Sequence, residues 1–151
     1  MEDMAARYAS RSVRSVFLYT REAHPGENYR HHTSLEEKRH HARAFQAEFG
    51  VNRQILLDDL EGTVHRAYRM LPNMTWIIGS GGVIHYKAAW TDPADIEGAL
   101  RYSLDALERR VRDKLLPYHS ERLKWRGRDD EKFRARLVKN GPQAVTDFYG
   151  P

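Results

Sequence analysis

Ser15–Pro25 reads SVFLYTREAHP, an apolar run from Val16 to Tyr19 that gives way to polar residues and then to Glu22-Ala23-His24-Pro25. With Val13 ahead of it, the run is nearly continuous rather than alternating. A strand over Ser12–Thr20 is therefore expected to be covered on both faces, as in a parallel sheet. Pro25, Gly26 and Asn28 make Arg21–Thr33 a loop. Ser34 with Glu37 three residues on is a capping box, so a helix is predicted over Leu35–Phe49 and closed by Gly50. Its apolar face would hold Leu35, Ala42, Phe45 and Phe49. Upstream, Glu2–Ser10 has Met4, Ala5, Tyr8 and Ala9 at helical spacing and reads as a short helix.

Downstream, Gln54–Gly62 (QILLDDLEG) supplies a short strand at Ile55–Leu57. Glu61–Met70 is predicted helical, with Val64, Ala67, Tyr68 and Leu71 toward the core. Met74–Gly79 and Gly82–Ala88 read as a hairpin around Ser80-Gly81, a turn that needs glycine's access to positive φ. Asp92 before Pro93 caps a long helix carrying Ile96, Leu100, Leu104 and Leu107, which extends to about Leu116 and ends at Pro117. Strands alternating with helices, closed by a hairpin, predict an α/β layer structure with a mixed sheet flanked by helices.

The stretch Tyr19–Tyr29 (YTREAHPGENY) carries the most specific resemblance. Glu22, Ala23, His24 and Pro25 match the Tyr-Ile-x-Glu-Ala-His-Pro run of the iodothyronine deiodinases, and Tyr29 stands where that family has a tryptophan. Ala67–Ile78 (AYRMLPNMTWII) is similar to their Ala-Tyr-Gly-x-x-Pro followed by an aromatic-led strand, and Gly82–Lys87 to the strand after it. Over residues 4–108 the chain thus resembles the thioredoxin-fold redoxins, peroxiredoxins and TlpA-like proteins included, and most closely the deiodinase branch. The resemblance implies a thioredoxin-like domain over residues 1–108 that lacks the family's first strand and active-site loop. A helical extension over 109–151 follows it. The missing strand would lie between Ser12–Thr20 and Met74–Gly79. Either those two strands pair directly, another chain supplies a strand, or the natural start lies upstream of Met1; the last is the expectation here.

The family reduces its substrates through a cysteine or selenocysteine, and this chain has no cysteine. That excludes disulfides, cysteine-ligated zinc and self-contained thiol catalysis. The resemblance implies thiol- or selenol-based reduction of a peroxide, a disulfide or a carbon–halogen bond in a complete form. His24 would then move protons and Glu22 would orient it, with Tyr29, Pro72 and Asn73 lining the substrate groove. Pro72 corresponds to the family's cis-proline, one residue out of the usual register, where this chain has Asn73. The plain readings stand beside these: His24 as a loop cap, Glu22 as a solvated charge, Pro72 as a trans turn proline. No cofactor is implied. The partners implied are a small-molecule substrate or thiol reductant. The alternative is a non-catalytic module that binds a protein or forms a homo-oligomer.

His31-His32 and His40-His41 invite a metal reading. Neighbouring helical side chains diverge by about 100°, and Lys38, Arg39 and Arg43 are close, so a solvated face is expected and no metal site. Asp58-Asp59 with Glu61 could hold a hard cation, but a helix cap is preferred.

Charge divides the chain unevenly. Residues 1–108 carry 13 basic and 15 acidic side chains, residues 109–139 carry 12 and 5. Tyr118, Trp125 and Phe133 interleave the basic stretch, so nucleic-acid binding is a weaker alternative. Leu115, Leu116, Leu123, Trp125, Phe133 and Leu137 read instead as anchors folding the extension onto the body. Gly141-Pro142 opens a short terminal helix ending in Phe148-Tyr149. No apolar run reaches the roughly 18–20 residues of a membrane span, and the N-terminus lacks the pattern of a secretory signal. A cytoplasmic, soluble protein is the expectation. The P-loop, the dinucleotide fingerprint, the zinc-protease His-Glu-x-x-His and the Gly-x-Ser-x-Gly elbow are absent.

Overall fold

The computed structural model describes residues 1–113, 127 and 129–151. The elements run α1 (Glu2–Ala9), β1 (Val16–Tyr19), α2 (Leu35–Phe49), β2 (Gln54–Leu57), α3 (Thr63–Ala67), β3 (Thr75–Ile78), β4 (Ile84–Ala88), α4 (Pro93–Asp113), α5 (Asp130–Asn140) and α6 (Pro142–Tyr149). This is an α/β chain. It divides into two compact units, one holding β3, β4 and α4, the other holding the remaining elements. Leu115, Leu116, Pro117, Tyr118, Leu123 and Trp125 lie outside the described residues. Among the described residues, no helix is long and apolar enough to cross a membrane.

The larger unit is built on a β1–α2–β2 crossover. β1 and β2 pair in parallel, Val16 with Gln54 through Tyr19 with Leu57, which demands a long connection of the kind that residues 20–53 supply. α2 begins where Ser34 Oγ accepts the Glu37 N–H at 3.1 Å and ends at Gly50, in the left-handed conformation at φ 59°. Glu37 reaches one residue further back than the usual box, its carboxylate accepting from the N–H and hydroxyl of Thr33. The cap contributes about 1 kcal/mol. Phe17 and Phe45 rings lie 4.9 Å apart, and Phe45 and Phe49 likewise, forming the seam between β1 and α2.

Burial on α2 departs from the apolar face expected. The protected stripe is Lys38, His41, Ala42 and the half-buried Phe45, at i, i+3, i+4 and i+7, while Leu35 and Phe49 are exposed. On α3 the buried residue is His65; Val64, Tyr68 and Leu71 are exposed. Nor is β1 covered on both faces, since Val16 is exposed. The reason is common to all three: residue spacing marks a face, but which face is covered depends on the elements packed against it.

The four strands do not join in one mixed sheet. β1 pairs with β2, and β3 with β4, as two two-stranded sheets.

In the smaller unit β3 and β4 are antiparallel, with a bulge after Ile77 that leaves His85 as the extra residue. His85 is buried and folds over Gly79, where a Cβ would stand 2.6 Å from its Nε2. The positive φ of the turn falls on Gly82, at 77°, rather than on Ser80-Gly81. Asp92 caps α4, its carboxylate accepting from the N–H groups of Ala94 and Asp95 at 3.1 Å each. Ile96, Leu100 and Ser103 form the buried side of that helix.

α5 and α6 form a helical pair jointed at Gly141, with Pro142 at the first turn of α6. Leu137 and Ala144 are buried. The pair is seated on the loop after β1 through Asn140, which bonds Tyr29 and His24, and through Phe133, whose ring meets that of His24.

Candidate functional site

The site grows from the end of β1. Tyr19 closes the strand, and its hydroxyl donates to Glu22 Oε1, three residues on. The chain then turns through Pro25–Tyr29 and returns to the mouth of α2. There His32 lies just ahead of the Ser34 cap, and His41 projects from the second turn. Glu22 Oε1 lies 3.6 Å from His32 Nε2 and 3.9 Å from His41 Nδ1. The imidazole rings are 5.0 Å apart, with Tyr19 against His32 at 5.8 Å and Tyr29 edge-on to His41 at 5.2 Å.

Three polar groups are thus gathered in an aromatic enclosure. The side chains of His32, His41 and Glu22 are 4%, 10% and 21% exposed. His32 Nε2 and His41 Nδ1 are both buried without a hydrogen-bond partner. A buried polar atom left in that state costs about 1–3 kcal/mol. Burial above all, then the nearby His41 and Lys38, pushes the His32 imidazole down to about 4. Burial, reinforced by the bond to Glu22 and that carboxylate's charge, holds the Tyr19 phenol well above its ordinary range. The two imidazoles, the carboxylate and their nitrogen and oxygen donors are the groups here that could hold a metal ion. Beside them opens a cleft of about 180 Å³, lined by Tyr19, Glu22, Tyr29, His41 and Phe45, with Arg136, Lys139 and Asn140 of α5 across it.

The solvated face expected of the histidine pairs is half right. His31 and His40 are exposed, whereas His32 and His41 turn inward. Adjacent histidines do diverge; it is one member of each pair that converges with the other, nine residues apart. Of the residues the resemblance points to, Glu22 and Tyr29 line the cleft. His24 faces elsewhere. Its Nδ1 is 3.2 Å from Asp147 Oδ2 on α6, and its ring meets Phe133 and Phe148 edge-on at 6.1 and 5.0 Å. Its partner is thus Asp147, not Glu22. Pro72 and Asn73 belong to the other unit, where both are exposed and the Asn73 carbonyl accepts from Thr91 Oγ1 at 3.2 Å. No peptide bond among the described residues is cis, so Pro72 is a trans proline.

The N-cap position of α3 is Gly62, and Asp58-Asp59 cap the helix from ahead of it. Asp58 is 1% exposed, and its two oxygens accept from the N–H groups of Asp59, Val64 and His65. Asp59 accepts from Thr63 at 2.7 Å. These lone pairs are engaged by backbone donors at the start of α3.

Compared with protein-family models, with curated proteins and with solved structures, the chain matches none.

Proposed function

We propose that this chain is a cysteine-free thioredoxin-like module of the deiodinase-like branch, and that it acts by binding a further strand rather than by thiol chemistry. The strand pairing supports the reading. In the arrangement that the resemblance implies, an additional strand lies against β1. Without it β1 has β2 as its one strand partner among the described residues, which is the pairing found. A two-stranded sheet is marginal by itself, and its unpaired N–H and C=O groups are a template for another strand. A second copy of the chain is the simplest source.

His24 fits this module better than it fits an enzyme, because its ring is engaged by Asp147, Phe133 and Phe148. The complete redoxin, with a thiol or selenol supplied from upstream, is the competing reading, favoured by the match at Glu22-Ala23-His24-Pro25.

The test combines light scattering with amide exchange at Val16–Tyr19, and adds a thiol-dependent reductase assay of this chain and of a form extended upstream in frame. The module reading expects a mass above the 17.7 kDa of one chain, with protection of β1 that is lost on dilution. A cooperatively folding monomer with unprotected β1 amides overturns it. Reductase activity confined to the extended form replaces it with the enzyme.

A further inference from the structure

Glu22, His32 and His41 come from three separate places, the end of β1, the loop and α2, yet their donor atoms all lie within 4.8 Å of one another. Two imidazoles and one carboxylate suit a divalent cation of the first transition row, and they suit zinc well. In a tetrahedral zinc site with bonds of about 2.0–2.1 Å, neighbouring donor atoms stand about 3.3 Å apart. The 3.6 and 3.9 Å separations to Glu22 need to close by about 0.3 and 0.6 Å, and the two imidazole nitrogens, within 4.8 Å of each other, by up to about 1.5 Å. Movements of that size are within the reach of side-chain torsions alone.

A second observation points to a ligand independently of that spacing. His32 Nε2 and His41 Nδ1 are both buried and both lack a hydrogen-bond partner. Two orphaned nitrogens directed at one carboxylate are costly as a structural feature, and an ion between them would satisfy both. The surroundings are arranged to match. The Tyr19 hydroxyl donates to Glu22, as an outer-shell group does when it fixes a ligating carboxylate. Lys38, the one buried cation close by among the described residues, directs its ammonium to the Asp59 carbonyl at 3.0 Å, beside the Asp58 carboxylate. Arg39 and Arg43 are exposed.

We propose that Glu22, His32 and His41 bind one divalent transition-metal cation, zinc being the best fit, with its fourth position directed to the cleft beside Tyr29. Three protein ligands and a position open to solvent distinguish such a site from the closed four-ligand sites that serve structure alone. The ion ties β1, the loop and α2 together, so its binding stabilises the fold. All three ligands belong to the same unit, so the site does not depend on a partner strand.

The experiment is a titration of the metal-free protein with Zn²⁺, followed by calorimetry and by thermal unfolding, and repeated with Co²⁺ in the visible range. Expected are one ion per chain, a rise in Tm, and the intense absorption of four- or five-coordinate cobalt. Glu22→Gln, His32→Gln and His41→Gln should each weaken binding at least tenfold, while a His31→Gln/His40→Gln double variant binds as the parent does. Histidine ¹⁵N spectra of the unmodified protein guard against variants that fail to fold, because Zn²⁺ should shift the ring nitrogens of His32 and His41 selectively. The proposal is overturned if folded protein takes up neither ion, or if uptake follows His31 and His40. It is equally overturned if the ring nitrogens of His32 and His41 are unmoved at saturating Zn²⁺.

Discussion

The side-chain amide of Asn140, the last residue of α5, donates to the His24 carbonyl at 2.6 Å. Its carbonyl oxygen accepts from the Tyr29 N–H at 2.8 Å. One C-terminal side chain thus clamps both limbs of the loop that leads from β1 to the candidate site. Asn140→Ala leaves a carbonyl and an N–H without their partner in a partly buried setting, and should cost about 2–3 kcal/mol. Urea unfolding should show the midpoint falling with an unchanged slope. An unchanged midpoint would mean that water replaces the clamp at no cost.

The same clamp leaves no space around Gly26. A Cβ there would lie 2.5 Å from the Asn140 carbonyl oxygen, a backbone atom that cannot step aside. Gly26→Ala should therefore destabilise by about 2–4 kcal/mol through overpacking and loss of the loop contacts. Gly50→Ala provides the contrast. Gly50 is left-handed at φ 59° but has nothing within 4 Å of the added carbon. That change should cost only about 1 kcal/mol, from backbone conformation alone. Equal losses at the two positions would refute the steric account.

Acid sensitivity should trace in part to Glu2. Burial raises its pKa, but bonds from the Arg53 side chain and from the Asn52 and Arg53 N–H groups outweigh this and leave it below the ordinary 4.5. The folded state therefore binds the proton less readily than the unfolded one. The resulting stabilisation is whole above about pH 4.5 and is lost as pH falls through the folded-state pKa. Glu2→Gln should remove about 1 kcal/mol at neutral pH and flatten the acid limb of the stability profile. Urea midpoints measured from pH 3 to 7 check both.

Asp58 offers a test without titration. Its carboxylate takes three backbone N–H donors and is almost wholly buried. Asp58→Asn keeps the shape but turns an NH₂ group toward a donor, and should cost about 2–4 kcal/mol. Asp59→Asn, at the more exposed neighbour, should cost well under half of that. Thermal unfolding of the two variants side by side decides it.

Tyr19→Phe should fold normally, because the phenol oxygen is its one polar contribution to the site, yet it should bind Zn²⁺ about 10-fold more weakly, the lower end of outer-shell effects. Calorimetric titration of the variant against the parent measures the difference. Unchanged affinity would remove Tyr19 from the site while leaving its three ligands in place.

Local chemistry made much of the secondary structure readable. Ser34, Glu37 and Gly50 bound α2 because caps act within a few residues, and Gly141-Pro142 opens α6 for the same reason. Burial was not readable from the same residues. Leu35 and Phe49 match an apolar face by spacing, yet the elements packed against α2 select Lys38, His41 and Ala42 instead. The candidate site was hidden by adjacency. Reading His31-His32 and His40-His41 as pairs conceals that His41 shares a helical stripe with Ala42 and Phe45, and that His32 precedes the cap on the side facing Glu22. A polar residue placed within an apolar stripe was the available signal. The basic extension was legible as an anchor only through Phe133, whose ring meets His24, since charge pattern alone does not say what a helix rests on.

Lys38 is the most unusual member of that stripe, its side chain sealed from solvent with the ammonium on the Asp59 carbonyl. Lys132 and Lys139, by comparison, are exposed. An amine-reactive reagent meets those two at once but reaches Lys38 only when α2 parts from the β2–α3 turn. Its acylation rate, read by peptide mass spectrometry against the exposed lysines, is therefore an internal clock for the breathing of the segment that carries His32 and His41.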